Sequence, residues 1–296
     1  MCGIVGLFIK DKTLEPRLGS LLSDMLITMT DRGPDSAGFA VYGSPDMMKI
    51  TVQSSQPEQD FSDLAGTIKR ASDVNCEVTL KDTHAVIHVN AGQADTVRAA
   101  LAEISGSIRI MSTGESIEIY KEVGLPEQVT ERFQLSQMSG SHAIGHTRMA
   151  TESAVTTMGA HPFSTGADQC LVHNGSLSNH NNLRRELIRK GIRFETENDT
   201  EVAAAYISDR LANGMNLGDA LEAGLEDMDG FYTFVVGTKN GFGVLRDPIA
   251  CKPAVLAETD QYVAFGSEYR ALVNLPGIEM AKVWEPEPAT VYFWER

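Results

Sequence analysis

MCGIVGLF, residues 1–8, places a cysteine between the initiator methionine and an apolar run. IVGLF, residues 4–8, has the length of a short buried strand, bounded by Gly3 on one side and a charged turn on the other. A terminus that leads straight into a strand is anchored rather than frayed. Cys2 then has two readings. It is a small buried hydrophobe, the commoner use of a free cysteine, or a reactive thiol held at the end of the chain.

Outward from that strand, EPRLGSLLSDMLITMTDRG (15–33) carries Leu18, Leu21, Leu22, Met25, Leu26 and Met29 at helical spacing, with Pro16 at its first turn. DSAGFAVYGS (35–44) reads as a second strand, and residues 44–62 turn to the Ser, Pro, Gln and Asp of a loop. A small α+β unit follows. HAVIHVN (84–90) alternates as a strand, QADTVRAALAEIS (93–105) is an amphipathic helix, and SIRIMSTGESIEIYK (107–121) reads as a hairpin with a Thr-Gly turn. This order suggests a ferredoxin-like plate. After residue 140 come strands HAIGHTRMA (142–150) and QCLVHNGSL (169–177), then helices over 179–191, 198–214 and 217–230. A meander of short strands over 231–268 and a final apolar segment, TVYFW (290–294), complete the chain. Strands dominate both ends and no strict βαβ alternation appears, which predicts an α+β fold of antiparallel sheets with helical layers.

The composition narrows the function. Forty Asp+Glu against 25 Lys+Arg gives a net charge of −15, which argues against nucleic acid or an anionic membrane surface as a bulk partner. No apolar stretch reaches the roughly 18–20 residues of a membrane span, and the start lacks the basic region of a signal peptide. Cys2, Cys76, Cys170 and Cys251 are scattered without a CxxC pair, so free thiols in a reducing cytoplasm are expected. The sequon at Asn174 is then a chance match. Neither GxGxxG nor GxxxxGK[ST] occurs, so no nucleotide site is expected. His84 and His88 share a strand face, but two ligands without a third make no metal site.

Five polar clusters sit where a core would not want them: Cys2; DRGPDSAG (31–38); GHTRMAT (145–151), with His146 and Arg148 on one strand face; VHNGS (172–176); and ENDTE (197–201). Singly, each has a bland reading. Arg148 is an ion-pair partner, Asn174-Gly175 a hairpin turn, Asp199 a helix cap.

In this order the five resemble the class II glutamine amidotransferases, an N-terminal-nucleophile (Ntn) family, over nearly the whole chain apart from about 55–140. The resemblance implies an αββα four-layer sandwich of two antiparallel sheets. It assigns residues 1–54 and 141–296 to the amidotransferase domain and 55–140 to an inserted α+β subdomain. It also implies that an aminopeptidase removes Met1, leaving Cys2 with a thiol and a free α-amine. Ordinary α-amines titrate at about 7.7–8.0 and thiols at about 8.5, so the pair is matched for proton transfer near neutrality. Arg148 and Thr151 would hold the α-carboxylate of glutamine and Asp199 its α-ammonium. The Asn174 side-chain amide and the Gly175 N–H would form the oxyanion hole. Arg32 would order the cysteine, and His161, in GAHPF (159–163), would stand near the pocket wall. Many relatives have Trp where Met149 stands, so the pocket floor is expected to differ.

The resemblance further implies hydrolysis of glutamine to glutamate and ammonia through a Cys2 thioester. The chain ends soon after TVYFW with no synthase domain, so ammonia is expected to pass to a separate acceptor subunit. The opening and the long insert resemble the amidotransferase subunit of glutamate-synthase-like enzymes such as N-methylglutamate synthase. No cofactor is expected on this chain, with flavin on the partner. The competing reading is a non-catalytic subunit of the same fold that senses glutamine or serves as an interaction module. A third, an Ntn hydrolase of another amide, is disfavoured because Arg148 and Asp199 together describe an α-amino acid.

Overall fold

The first strand, Gly3–Ile9, has no solvent face. Side chains alternate across a strand, so Ile4 and Phe8 point one way and Val5, Leu7 and Ile9 the other. Both sets are buried. The outer set packs with Leu18, Leu22 and Leu26 of the helix Leu18–Thr28. The inner set packs with Val172, Val235 and Val244 of a second sheet. Each fully buried side chain of this size is worth about 1.5–3 kcal/mol, which is why an eight-residue opening can hold the chain end in place.

This is a computed structural model, and it describes residues 2–150 and 154–296. Gly3–Ile9 is the middle strand of a seven-stranded antiparallel sheet. In order, its strands are Lys282–Trp284, Val255–Glu258, Tyr262–Gly266, Gly3–Ile9, His142–Arg148, Ser36–Tyr42 and Ile117–Val123. A four-stranded sheet faces it, in the order Thr290–Glu295, Gly241–Arg246, Gly230–Gly237 and Cys170–Leu177. The helices Asp199–Ala212 and Leu217–Asp227 cover the outer side of this sheet, burying Val202, Tyr206 and Leu221 against Leu171, Phe234 and Leu245. Helix, sheet, sheet, helix is the layering expected from the sequence, and the fold is the Ntn-hydrolase sandwich.

A third sheet has the order Glu77–Lys81, His84–Val89, Met48–Ser54, Ile108–Gly114. The helices Leu64–Ser72 and Ala94–Ile104 cover one face, closing a core of Ile50, Val52, Ile68, Ile87, Val97 and Leu101. The chain order βαββαβ with all neighbours antiparallel is the ferredoxin-like plate, built from partly different strands than expected. Sheet membership also runs over 48–114 rather than following residues 55 and 140.

Four local expectations change. MKITVQS (48–54) is a strand, not loop. Residues 107–121 are not a hairpin, because their two strands enter different sheets. The crossing at 115–117 is held by the Asp168 carboxylate, which accepts N–H bonds from Glu115 (2.8 Å), Ser116 (2.8 Å) and Ile117 (3.0 Å). The strands of 231–268 form no single meander either. The first two lie in the facing sheet and the last two in the seven-stranded one. Arg246 pins the crossover by donating to the carbonyls of Ala250 (2.9 Å) and Lys252 (3.2 Å). Pro16 lies in a 3-10 turn, Lys12–Arg17, ahead of the helix rather than within its first turn.

Candidate active site

The two facing sheets part at the end where Gly3 pairs with Thr147, and a cavity of about 640 Å³ opens there. Cys2, Arg148, Met149, Asn174, Gly175 and Asp199 line it. Six residues from four segments of the sequence thus meet at strand ends and one helix start.

Cys2 is held by its backbone. Its carbonyl accepts from Arg32 Nε at 2.9 Å and from Asn174 Nδ2 at 3.1 Å, while its Sγ lies 3.9 Å from the Met149 carbonyl. One residue on, Ile4 N donates to Ser267 Oγ and Ser267 N donates back to Ile4 O, both at 2.9 Å. The 31–38 loop is latched to the neighbouring strand end. Asp35 N donates to Arg148 O at 3.1 Å, and Asp35 Oδ2 accepts from Ala150 N at 2.8 Å. Gly33 permits that approach, since a Cβ there would stand 2.5 Å from Arg148 N.

Arg148 ends the strand His142–Arg148, is buried, and donates from Nη1 to Ala154 O at 3.3 Å. Gly175 has φ +143°, and a Cβ there would meet Phe231 O at 2.0 Å, so both backbone and space require glycine. Asp199 opens the helix Asp199–Ala212, with Asn198 as its cap accepting from Thr200 N. Burial pushes the Asp199 carboxyl up. Contacts with His173, the Leu177 N–H at 2.9 Å and His180 more than offset this and hold it at about 2. A carboxylate charged at any ordinary pH therefore faces the cavity.

His161 lines the wall. Its Nε2 lies 2.8 Å from Thr200 Oγ1, and its ring stacks on His146 at 4.1 Å. Burial drives the His161 ring well below the usual imidazole range, and His146 to about 3, so both are neutral. Thr151 lies outside the described residues. Met149 borders the cavity and is 37% exposed, so it forms part of the mouth rather than a floor.

The sequence reading missed several supporting groups. His173 Nδ1 sits 3.1 Å from Thr200 Oγ1 and 3.6 Å from Asp199 Oδ1. Its position beside Asn174 was the available signal. Lys121 is buried and donates to the carbonyls of Ala160 (2.8 Å), Pro162 (3.2 Å) and Met158 (3.4 Å). Burial lowers its pKa to about 8, partly opposed by Glu201 and Glu195. Glu201 accepts from the N–H groups of Glu195 and Thr196, each at 2.8 Å. Lys121 and Glu201 thus brace two walls of the cavity from behind, and no local motif marks either. Among the described residues, no three His, Cys, Asp or Glu side chains are grouped to hold a metal.

Two antiparallel sheets between helical layers, with a thiol at the open end of a central strand, define an Ntn-type fold of the class II amidotransferase kind. Two solved structures share it. Glutamine phosphoribosylpyrophosphate amidotransferase from B. subtilis, complexed with ADP and GMP, superposes with a TM-score of 0.63 at 20% identity. The allosteric regulatory enzyme of purine biosynthesis does so with 0.65, also at 20% identity. Each match takes in 99% of this chain and 47% of the other, so the chain spans about half the length of those enzymes.

The chain belongs to the glutamine amidotransferase family: residues 133–293, more than half its length, match the glutamine amidotransferase domain. It is 69% identical to the glutamine amidotransferase-like protein GlxB of Rhizobium meliloti (strain 1021), across 100% of this chain and 98% of that one. It is 33% identical to a putative glutamine amidotransferase of Methanothermobacter thermautotrophicus, across the whole of both. Among the described residues no helix is long and apolar enough to cross a membrane.

Proposed function

We propose that the protein hydrolyses glutamine to glutamate and ammonia through a thioester on Cys2. The observation that carries this is the meeting of Cys2, Arg148, Asn174, Gly175 and Asp199 around one cavity. In this reading Met1 is removed and the freed α-amine takes the thiol proton. The thiolate attacks the γ-carboxamide carbon, the C–N bond breaks, and the leaving nitrogen is protonated to ammonia. Water then cleaves the thioester, releasing glutamate and restoring the thiol. Arg148, as a charge-assisted fork, and Thr151 take the α-carboxylate, and Asp199 takes the α-ammonium. Asn174 Nδ2 and the Gly175 N–H stabilise the tetrahedral oxyanion, Arg32 holds the Cys2 carbonyl, and His161 shapes the wall.

Transfer of the nitrogen requires an acceptor. We assign it to a separate glutamate-synthase-like subunit of the N-methylglutamate synthase type, carrying the flavin and working with this chain in the cytoplasm. The long unit inserted between the amidotransferase segments supplies a docking surface for it. Four cysteines without disulfides fit that compartment.

The test is an intact mass after exposure to a glutamine-mimicking diazoketone, with Cys2→Ala alongside and glutamate release measured in parallel. Loss of Met1, one adduct on the wild type and none on the variant is the expected result. A chain that keeps Met1, or takes no adduct and releases no glutamate, leaves the non-catalytic glutamine-sensing reading in its place.

A further inference from the structure

We infer that Glu268 is a positioning residue for the nucleophile, acting through Arg32 on the carbonyl of Cys2; this rests on the reading of Cys2 as the attacking thiol. Arg32 is 8% exposed and reaches two partners at once. Its Nε donates to Cys2 O at 2.9 Å and its Nη1 to Glu268 Oε1 at 2.6 Å. The other oxygen, Glu268 Oε2, lies 2.7 Å from Arg270 Nε, and Arg270 Nη1 lies 3.2 Å from Asp31 Oδ2. Charge alternates along this row, from buried Arg32 out to Asp31, which is 84% exposed. The Arg32 bond, with Arg270 adding to it against some burial, holds the Glu268 carboxyl below the usual range.

A guanidinium is a rigid plane with donors in fixed directions. Fixing Nη1 on Glu268 therefore fixes where the Nε–H points, and it points at the carbonyl of the nucleophilic residue. Ser267, the neighbour of Glu268, holds Ile4 through both of its hydrogen bonds. Two consecutive residues thus set the opening strand, one at its backbone and one at its reactive end. Glu268 is not among the residues that line the cavity, so its action is assigned through Arg32.

Without Glu268, Arg32 loses its anchor. Its Nη2 already lacks a partner among the described residues, so two buried arms would then seek one. The Cys2 carbonyl would be left to Asn174, whose amide is also needed for the oxyanion. The consequence falls on the transition state and not on glutamine binding.

The test is steady-state glutaminase kinetics on the full chain for wild type, Glu268→Ala, Glu268→Gln, Arg32→Lys and the Arg32→Lys/Glu268→Ala pair. Diazoketone labelling counts competent sites, so that any unfolded fraction is divided out. Glu268→Ala is expected to lower kcat about tenfold with KM for glutamine within about twofold. Glu268→Gln, which keeps an acceptor for Nη1, falls less. In the Arg32→Lys background, removing Glu268 changes kcat by less than about twofold, because the two act as one unit. Additive losses overturn the inference. So does a raised KM at unchanged kcat, or a deficit wholly explained by the competent fraction. A wild type that takes no label and hydrolyses no glutamine removes this inference together with the function it rests on.

Discussion

One strand, His142–Arg148, carries two histidines on its inner face, and they have been treated differently by the fold. At the closed end, His142 Nδ1 meets Ser141 Oγ and Nε2 meets the Thr238 carbonyl, each at 2.9 Å, with the ring stacked on Tyr42 at 4.0 Å. At the open end, His146 Nε2 meets the His173 carbonyl at 3.1 Å, but Nδ1 is buried with no partner among the described residues. His161 Nδ1 and His173 Nε2 are in the same position. A buried polar atom left unpaired costs about 1–3 kcal/mol. Of this strand's two histidines only the one at the cavity end carries this cost, although Gln169 Nε2, near the closed end, is also buried without a partner among the described residues. The contrast within this one strand places the unpaired histidine beside His161 and His173, both of which line the cavity.

The largest effect that would sharpen the contrast is at the thiol. Cys2→Ala should reduce glutaminase activity by at least about a thousandfold without lowering the melting temperature, and retained activity would move the chemistry elsewhere. Asn174→Ala should lower kcat by roughly 10²–10³ with KM for glutamine little changed; a change confined to KM would make Asn174 a substrate contact instead. His142→Phe should cost about 1–3 kcal/mol in denaturant unfolding by stranding the Thr238 carbonyl, with kcat per folded molecule unchanged. His146→Phe should cost less stability, since it deletes an unpartnered nitrogen along with a partnered one, yet raise KM by disturbing the His161 ring. Equal profiles for the two variants would break the comparison.

Acid should act on both ends alike. Burial holds His84, His142 and His146 at about 3 and His161 well below its usual value, against 6.5 for free imidazole. Below pH 6.5 the unfolded chain takes up protons that the folded chain refuses, so unfolding is favoured as pH falls. The melting temperature should be flat just above pH 7 and drop between pH 6.5 and 4. His142→Phe should remove about 1 kcal/mol per pH unit of that slope. An unchanged slope would mean that this ring is charged in the folded state.

What could be read directly from the sequence was the part whose partners lie close along the chain. The opening strand, the strand ends at Arg148 and Asn174 and the helix start at Asp199 each carry their signal within a few residues. Met48–Ser54 was hidden because Lys49, Thr51 and Gln53 look like solvent residues, yet all three are buried where that sheet lies against the main sandwich. Lys49 finds its partner in Glu118, at 2.9 Å, on a strand of the other sheet. The break at 115–117 depends on Asp168, some fifty residues downstream, and the anchoring of Arg32 depends on Glu268. Long-range carboxylates of this kind leave no pattern in their own neighbourhood.

The pairing of Gly3–Ile9 with both His142–Arg148 and Tyr262–Gly266 has a consequence for how the protein is made. On the ribosome the first strand emerges long before either neighbour. At about 5–20 residues per second, its last partner follows on the order of ten seconds to a minute later. Until His142–Arg148 emerges to pair with it, the strand has no neighbour, and its amino end is open to the peptidase that the proposed function requires. Once residues 262–266 pair with Val5–Ile9, the strand behind Cys2 is fixed between two neighbours. In the proposed reading, slowing or hastening synthesis would therefore lengthen or shorten the time in which Cys2 can be uncovered before its strand is fixed.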